Sequence, residues 1–160
     1  MTITEDEIMK ALIAWGDGIV SVSRAYENKG FKLAKRVATK TLEDLYGFEF
    51  GPILFKPTLS GGEKTFRTTK AGALSYFIGG NAEYPFDSGF GIQCWRKVWF
   101  KTSATFKQDC VALWMGWMMF ENKEGVSIKV DKSFGYKKSR DGVLKIILHH
   151  SSLPYQHTKS

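Results

Sequence analysis

The sequence predicts an α+β protein in which N-terminal helices pack on a curved antiparallel sheet. Three observations predict it. Apolar residues in the first half recur with a helical period, the period changes to two after Gly91, and the segments between the later strands are short enough to require antiparallel pairing. Helices first and a strand meander second is an α+β order, and the helical stripe must bury itself on one face of the sheet. A sheet curled around its own helices forms a cone with a cavity inside. At 160 residues, 43% of them hydrophobic and 24% charged, the chain fits one domain over 1–160 with an ordinary core.

Each element has its own signal. Thr4 and Glu7 form a capping box ahead of Ile8, Leu12, Trp15, Ile19, Val22 and Tyr26, which lie on one helical stripe, and Gly30 supplies the stop. Phe31, Ala34, Val37, Ala38, Leu42 and Leu45 give a second, shorter helix ending at Gly47. In GFEFGPILFKPTLSGGEKTF, two prolines and the Gly61-Gly62 pair rule out a continuous element. A third helix is expected from about Thr69 to Phe77, closed by Gly79 and Gly80. Four strands follow, roughly Cys94 to Phe106, Cys110 to Phe120, Val126 to Tyr136 and Val143 to Ser152, with turns at ENKEG and KKSRDG.

The second of these strands is apolar on both faces. Cys110, Ala112, Trp114, Gly116, Met118 and Phe120 share one face; Val111, Leu113, Met115, Trp117 and Met119 share the other. Two readings fit equally: a central strand covered on both sides, or an outer face that packs on a second copy to give a homodimer. Gly116 in mid-strand marks a bulge or bend that helps the sheet curl.

The formal charge of +7 is spread along the chain. Lys29, Lys32, Lys35, Lys56, Lys97, Lys129 and Lys137 read as solvated faces, and the one cluster, Lys137, Lys138 and Arg140, is short. This is not a nucleic-acid footprint; it suits a mild attraction for small anions. No apolar run is long enough for a membrane span. The N-terminal MTITEDEIMK is acidic where a secretory signal is basic and lacks the Arg/Ser bias of a transit peptide, so a cytoplasmic location is expected. Cys94 and Cys110 are too few for a disulfide scaffold and too far apart for a CxxC motif, and read as buried free thiols.

The chemistry is narrowed mostly by elimination. His149 and His150 are adjacent on a strand, point to opposite faces and cannot easily share one ion, while His157 lies in a polar tail, so no histidine zinc site is expected. Ser151 and Ser152 lack a GxSxG context and no oriented base is placed for them. SGGEKT has the wrong spacing for a P-loop, and GFGIQ lacks the strand–turn–helix context of a dinucleotide site. What remains is hydroxyls beside apolar segments: Thr58 after a proline, Tyr76 on the third helix, and Ser151 at a strand end. Converging in an apolar cavity, they would hold water or a small polar ligand.

With LKIILHHSSLPY at its last strand, ILFKPT in its central loop and KAGALSYFIGG on its third helix, the chain resembles the iota-class carbonic anhydrases over nearly its whole length. These belong to the nuclear-transport-factor-2-like superfamily, with the association domain of calcium/calmodulin-dependent kinase. The resemblance implies a cone-shaped α+β barrel, a homodimer, and reversible hydration of CO2 to bicarbonate. It implies that Thr58, Tyr76 and Ser151 bind bicarbonate and water, without an obligate metal or other cofactor; some members have been linked to manganese. Alternation from Leu144, Ile146 and Leu148 turns His150 and Ser152 toward their face and Ser151 away, whereas the motif selects Ser151, with Ser152 as the alternative. Two other functions fit the fold: a non-catalytic small-anion-binding or oligomerisation module, and an isomerase or dehydratase using His149, His150 or, less well placed, Asp109 as base.

Overall fold

The computed structural model describes residues 2–158. Helix α1 (Glu5–Lys29) opens on the expected capping box, with Thr4 and Glu7 bonding reciprocally, so two otherwise orphaned N–H groups are satisfied. Ile8, Leu12, Trp15, Ile19 and Val22 are buried along one stripe, which stops short of the exposed Tyr26. Gly30, at φ 81°, reverses the chain into helix α2 (Phe31–Leu45), which buries Ala34, Ala38 and Leu42 but leaves Phe31 exposed. Helix α3 (Lys70–Ile78) starts under the Thr69 cap, and no helix among the described residues is long and apolar enough to cross a membrane.

Among the described residues the sheet has five strands, one more than the sequence suggests. Strand β1 (Leu54–Lys56) precedes β2 (Trp95–Gln108), β3 (Val111–Asn122), β4 (Ser127–Lys138) and β5 (Leu144–Ser152), in the spatial order β1-β5-β4-β3-β2. The meander is antiparallel, as expected, but β1 runs parallel to β5 with Lys56 beside His150. The sheet is therefore mixed: the loop between α2 and α3 passes along the outer edge of β5 and donates three residues to it. Three residues flanked by prolines carry too little periodicity to be read as a strand.

Besides a register shift at Arg96 near the start of β2, two irregularities bear on the site and the curl of the sheet. Ser103 on β2 is an extra residue opposite the Gly116–Met115 step of β3, so the bend expected at Gly116 is real but its extra residue lies on the neighbouring strand. A side chain at Gly116 would collide with the Lys101 carbonyl, which explains the glycine. The second irregularity falls in β5. Tyr136 pairs with Ile146 and Gly135 with Leu148, leaving Ile147 unpaired. Leu144 and Ile146 face inward before this bulge; His149 and Ser151 face inward after it. The bulge thus reverses the parity that simple alternation predicts.

The core lies between the helices and the inner sheet face. Trp15 stands edge-on to Phe77, Phe120, Phe134 and the His149 ring, with centroids 5.6 to 6.4 Å away. Ala112, Trp114, Met118 and Phe120 of β3 are buried in it, while Leu113, Met115 and Trp117 on the outer face are exposed. Burial of each large side chain contributes about 1.5–3 kcal/mol, so the inner face alone accounts for much of the driving force.

Candidate active site

The parallel pairing of β1 with β5 brings the chain just beyond β1 against the end of β5. Lys56 ends the strand, Pro57 fixes the following backbone, and the Thr58 side chain meets Ser151, hydroxyl to hydroxyl, at 2.6 Å. Ser151 is 1% exposed. The Lys56 ammonium donates to the Ser151 carbonyl at 3.0 Å and to the Thr58 carbonyl at 3.4 Å, tying the two segments together. Lys56 is thus half-buried against the cluster rather than one more solvated lysine, and burial lowers its pKa.

Tyr76 reaches the same place from α3. Its hydroxyl accepts from the Leu59 N–H at 3.3 Å, and its ring stacks on Phe90 at 5.7 Å and stands edge-on to Phe55 at 6.0 Å. Burial pushes the Tyr76 hydroxyl up to about 12, against smaller opposing contributions from the Leu59 N–H and the Thr58 hydroxyl. Tyr76 is therefore a neutral hydrogen-bond donor at physiological pH, not a phenolate base. A cleft of about 320 Å³ reaches it, lined by Leu59, Phe90, Trp95 and Ile128 together with the polar Asp87, Gln93 and Asn122. The apolar walls suit an apolar guest, and Tyr76 contributes its hydroxyl to the lining.

The structure separates the other residues considered from sequence. Ser152 and His150 turn to the outer face of the sheet, where they line a different cavity of about 520 Å³ with Met115 and Trp117. Ser152 and His150 do not face the core because the Ile147 bulge changes the strand's parity. Asp109 lies exposed in the β2–β3 turn at φ 54° and makes no side-chain hydrogen bond to Thr58, Tyr76 or Ser151. Among the described residues, no three His, Cys, Asp or Glu side chains converge. Cys94 and Cys110 are free but only half-buried.

Sequence reasoning named His149 but missed the buried group it belongs to. His149 is buried between Phe55, stacked at 4.4 Å, and Phe134, at 4.6 Å. Its Nδ1 lies 2.8 Å from the Tyr46 hydroxyl, which accepts from Trp15 Nε1 at 2.9 Å, and its Nε2 lies 3.1 Å from Lys132 Nζ. Burial, with the nearby positive charges, holds the His149 pKa well below the usual range, so the ring is neutral. A signal for Lys132 did exist. It shares strand parity with Val130, Phe134 and Tyr136, so a lysine occupies an inward slot of an otherwise apolar face.

Comparison with known proteins adds the family context. Residues 6–153 match the family described as metal-independent carbonic anhydrase. A metal-independent carbonic anhydrase from Nostoc sp. (strain PCC 7120) is 47% identical over 154 residues, covering 96% of this chain and 75% of the relative. The crystal structure of an iota-carbonic anhydrase from a cyanobacterium, complexed with bicarbonate, superposes with a TM-score of 0.96 at 46% identity, over 98% of this chain and 95% of that one. Two more distant structures share the fold alone. One is described as a calcium/calmodulin-dependent protein kinase II association domain from Xanthomonas campestris (TM-score 0.59, 22% identity, 94% of this chain and 88% of that one). The other is an NTF2-like protein from Novosphingobium aromaticivorans (TM-score 0.55, 10% identity, 92% and 80%).

Proposed function

The chain belongs to the family of metal-independent carbonic anhydrases, and we propose that it interconverts CO2 and bicarbonate at the cluster of Thr58, Tyr76 and Ser151. The observation that carries this reading is the 2.6 Å contact between the Thr58 and Ser151 hydroxyls, with Tyr76 beside them lining a cleft to the surface. The bicarbonate bound by the cyanobacterial relative supports the substrate class. Family membership sets aside the non-catalytic and isomerase readings of the same fold.

The chemistry follows from the side chains. CO2 is apolar and partitions into the cleft. In the absence of a guest, the Thr58 and Ser151 hydroxyls satisfy each other, so neither bears the ~1–3 kcal/mol penalty of an unpaired buried polar group. A bound water exchanges that mutual bond for bonds to itself and is aimed at the CO2 carbon. As its oxygen bonds to carbon, negative charge grows on the CO2 oxygens. The protonated Tyr76 hydroxyl donates to that charge, and the Lys56 ammonium behind the two carbonyls adds a favourable positive field. These groups are fixed beforehand by β1, β5 and α3, so little reorganisation accompanies the reaction.

Oxygen-18 exchange from labelled CO2, with chelator-treated protein, tests the site. Thr58→Ala, Tyr76→Phe and Ser151→Ala are each expected to lower the rate about 10²-fold, the usual effect of removing one such donor. Rates within twofold of wild type in all three variants would remove the site from this cluster.

The proposal extends to assembly and compartment. The exposed outer face of β3, with Leu113, Met115 and Trp117 beside Phe106 of β2, supports a homodimer closed face to face across the sheet. The free cysteines suit a reducing, cytoplasmic setting.

A further inference from the structure

Hydration of CO2 leaves one proton without an acceptor in this cluster. Attack of water forms one C–O bond, moves one C=O electron pair onto oxygen, and releases one proton. Thr58 and Ser151 are alcohols, and Tyr76 keeps its own proton. The Lys56 amine is engaged as a donor to two carbonyls. The next basic group is across the ladder. Lys132 of β4 lies directly opposite Ser151 of β5, on the same inner face, and is 4% exposed. Directly opposed side chains on one sheet face start about 5 Å apart at Cβ.

The surroundings of Lys132 are unusual for a structural lysine. No carboxylate pairs with it among the described residues, and burial alone lowers its pKa to about 7. Its Nζ sits 3.1 Å from His149 Nε2 and 4.1 Å over the Trp15 ring, with Phe120 and Phe134 on its flanks. The titratable group in contact with it is His149 from β5, with Tyr46 behind that ring. Both are held neutral by burial. Lys132 also borders the outer-face cavity that Lys101, Asp131 and His150 line. Burying an unpaired charge costs several kcal/mol, and a methionine would fill the same space without that cost.

We propose that Lys132 is the proton acceptor of the hydration step, reached through the Ser151 hydroxyl, and that His149 is a positioning residue that holds its amine. The proposal rests on Thr58, Tyr76 and Ser151 being the site. The balance is water plus CO2 plus the neutral amine giving bicarbonate plus the ammonium; the ammonium then returns its proton to solvent, or to bicarbonate in the reverse direction. The hydrogen-bond network accommodates both states. Trp15 Nε1 can only donate, and it donates to Tyr46. With a neutral amine, an N–H of Lys132 donates to Nε2 and the Nδ1–H donates to Tyr46, so the amine's single lone pair stays free for the incoming proton. The ammonium keeps the same two bonds. Only the transferred proton changes place.

Lys132→Met keeps the bulk and removes the amine. Expected are a melting temperature at or above wild type, a loss of about 10²-fold or more in kcat, and disappearance of the neutral-pH rise in activity. His149→Gln should instead move the midpoint of that rise. In the wild-type protein, a 13Cε-labelled lysine resonance should titrate between about pH 6 and 9, far below an ordinary lysine. Wild-type kcat and pH profile in Lys132→Met, or no lysine resonance titrating in that window, would overturn the proposal; the second measurement needs no variant to fold. Thr58→Ala and Ser151→Ala, run in the same assay, separate the two failures. Full activity in both removes the site itself, whereas their loss alongside an active Lys132→Met removes only the role of Lys132.

Discussion

Lys132 holds its proton less tightly in the folded chain than in the unfolded one, because burial lowers its pKa from 10.5 to about 7. Below the lower value both states are protonated and the cost of the buried charge is present in full. Between the two values the unfolded chain binds the extra proton, so stability rises with pH; above the upper value the cost is gone. Relative to Lys132→Met, the wild type should therefore gain roughly 4 kcal/mol from pH 7 to about 10.5, at ~1.4 kcal/mol per pH unit. Urea unfolding of both proteins across that range measures it, and a flat difference would contradict the buried amine. At this scale the sequence was legible only in part. Thr58, Tyr76 and Ser151 stood out through motifs. Lys132 did not, because a lysine is by default a surface residue and only the parity of its apolar neighbours argues otherwise.

Among the elements, the segment between α3 and β2 depends on one buried ion pair. Arg67 meets Asp87 through two bonds of 2.6 and 2.7 Å, Ser75 of α3 donates to the same carboxylate at 2.7 Å, and the guanidinium lies 4.3 Å over the Tyr84 ring. Gly79, at φ 69°, lets the chain leave α3 and pack against the 87–89 backbone. This clamp sets Phe90 against Tyr76 and so shapes the cleft. Asp87→Asn leaves Arg67 buried with an uncompensated charge and should cost about 3–5 kcal/mol, read as a lowered melting temperature, with a loss of activity as the cleft loosens. The helices were legible because a capping box and a four-three repeat are local signals. Strand β1 and the Ile147 bulge were not. A three-residue strand has no measurable period, and alternation fixes parity only until one extra residue reverses it.

For the whole molecule, the decisive surface is the outer face of the sheet. Met115 is 60% exposed at its centre, in a row with Leu113 and Trp117. Light scattering should report a dimer, and Met115→Lys should shift it to monomer by placing two like charges across the two-fold. A wild-type monomer at micromolar concentration would refute the assembly. The double apolar pattern of β3 was visible in the sequence, but whether the chain covers its own outer face depends on how far the helices reach, which periodicity does not encode. The end of β5 then carries a consequence for the proposed dimer. Ser151 and His149 face inward, while Ser152 and His150 line the cavity on the outer face. One thin wall of backbone thus separates the proposed site from the face on which a second copy is proposed to pack. A tilt of that wall to admit a guest must be felt on the other side. Occupancy of the pocket and closure of the seam would then strengthen or weaken each other by one shared factor, read equally well from either side.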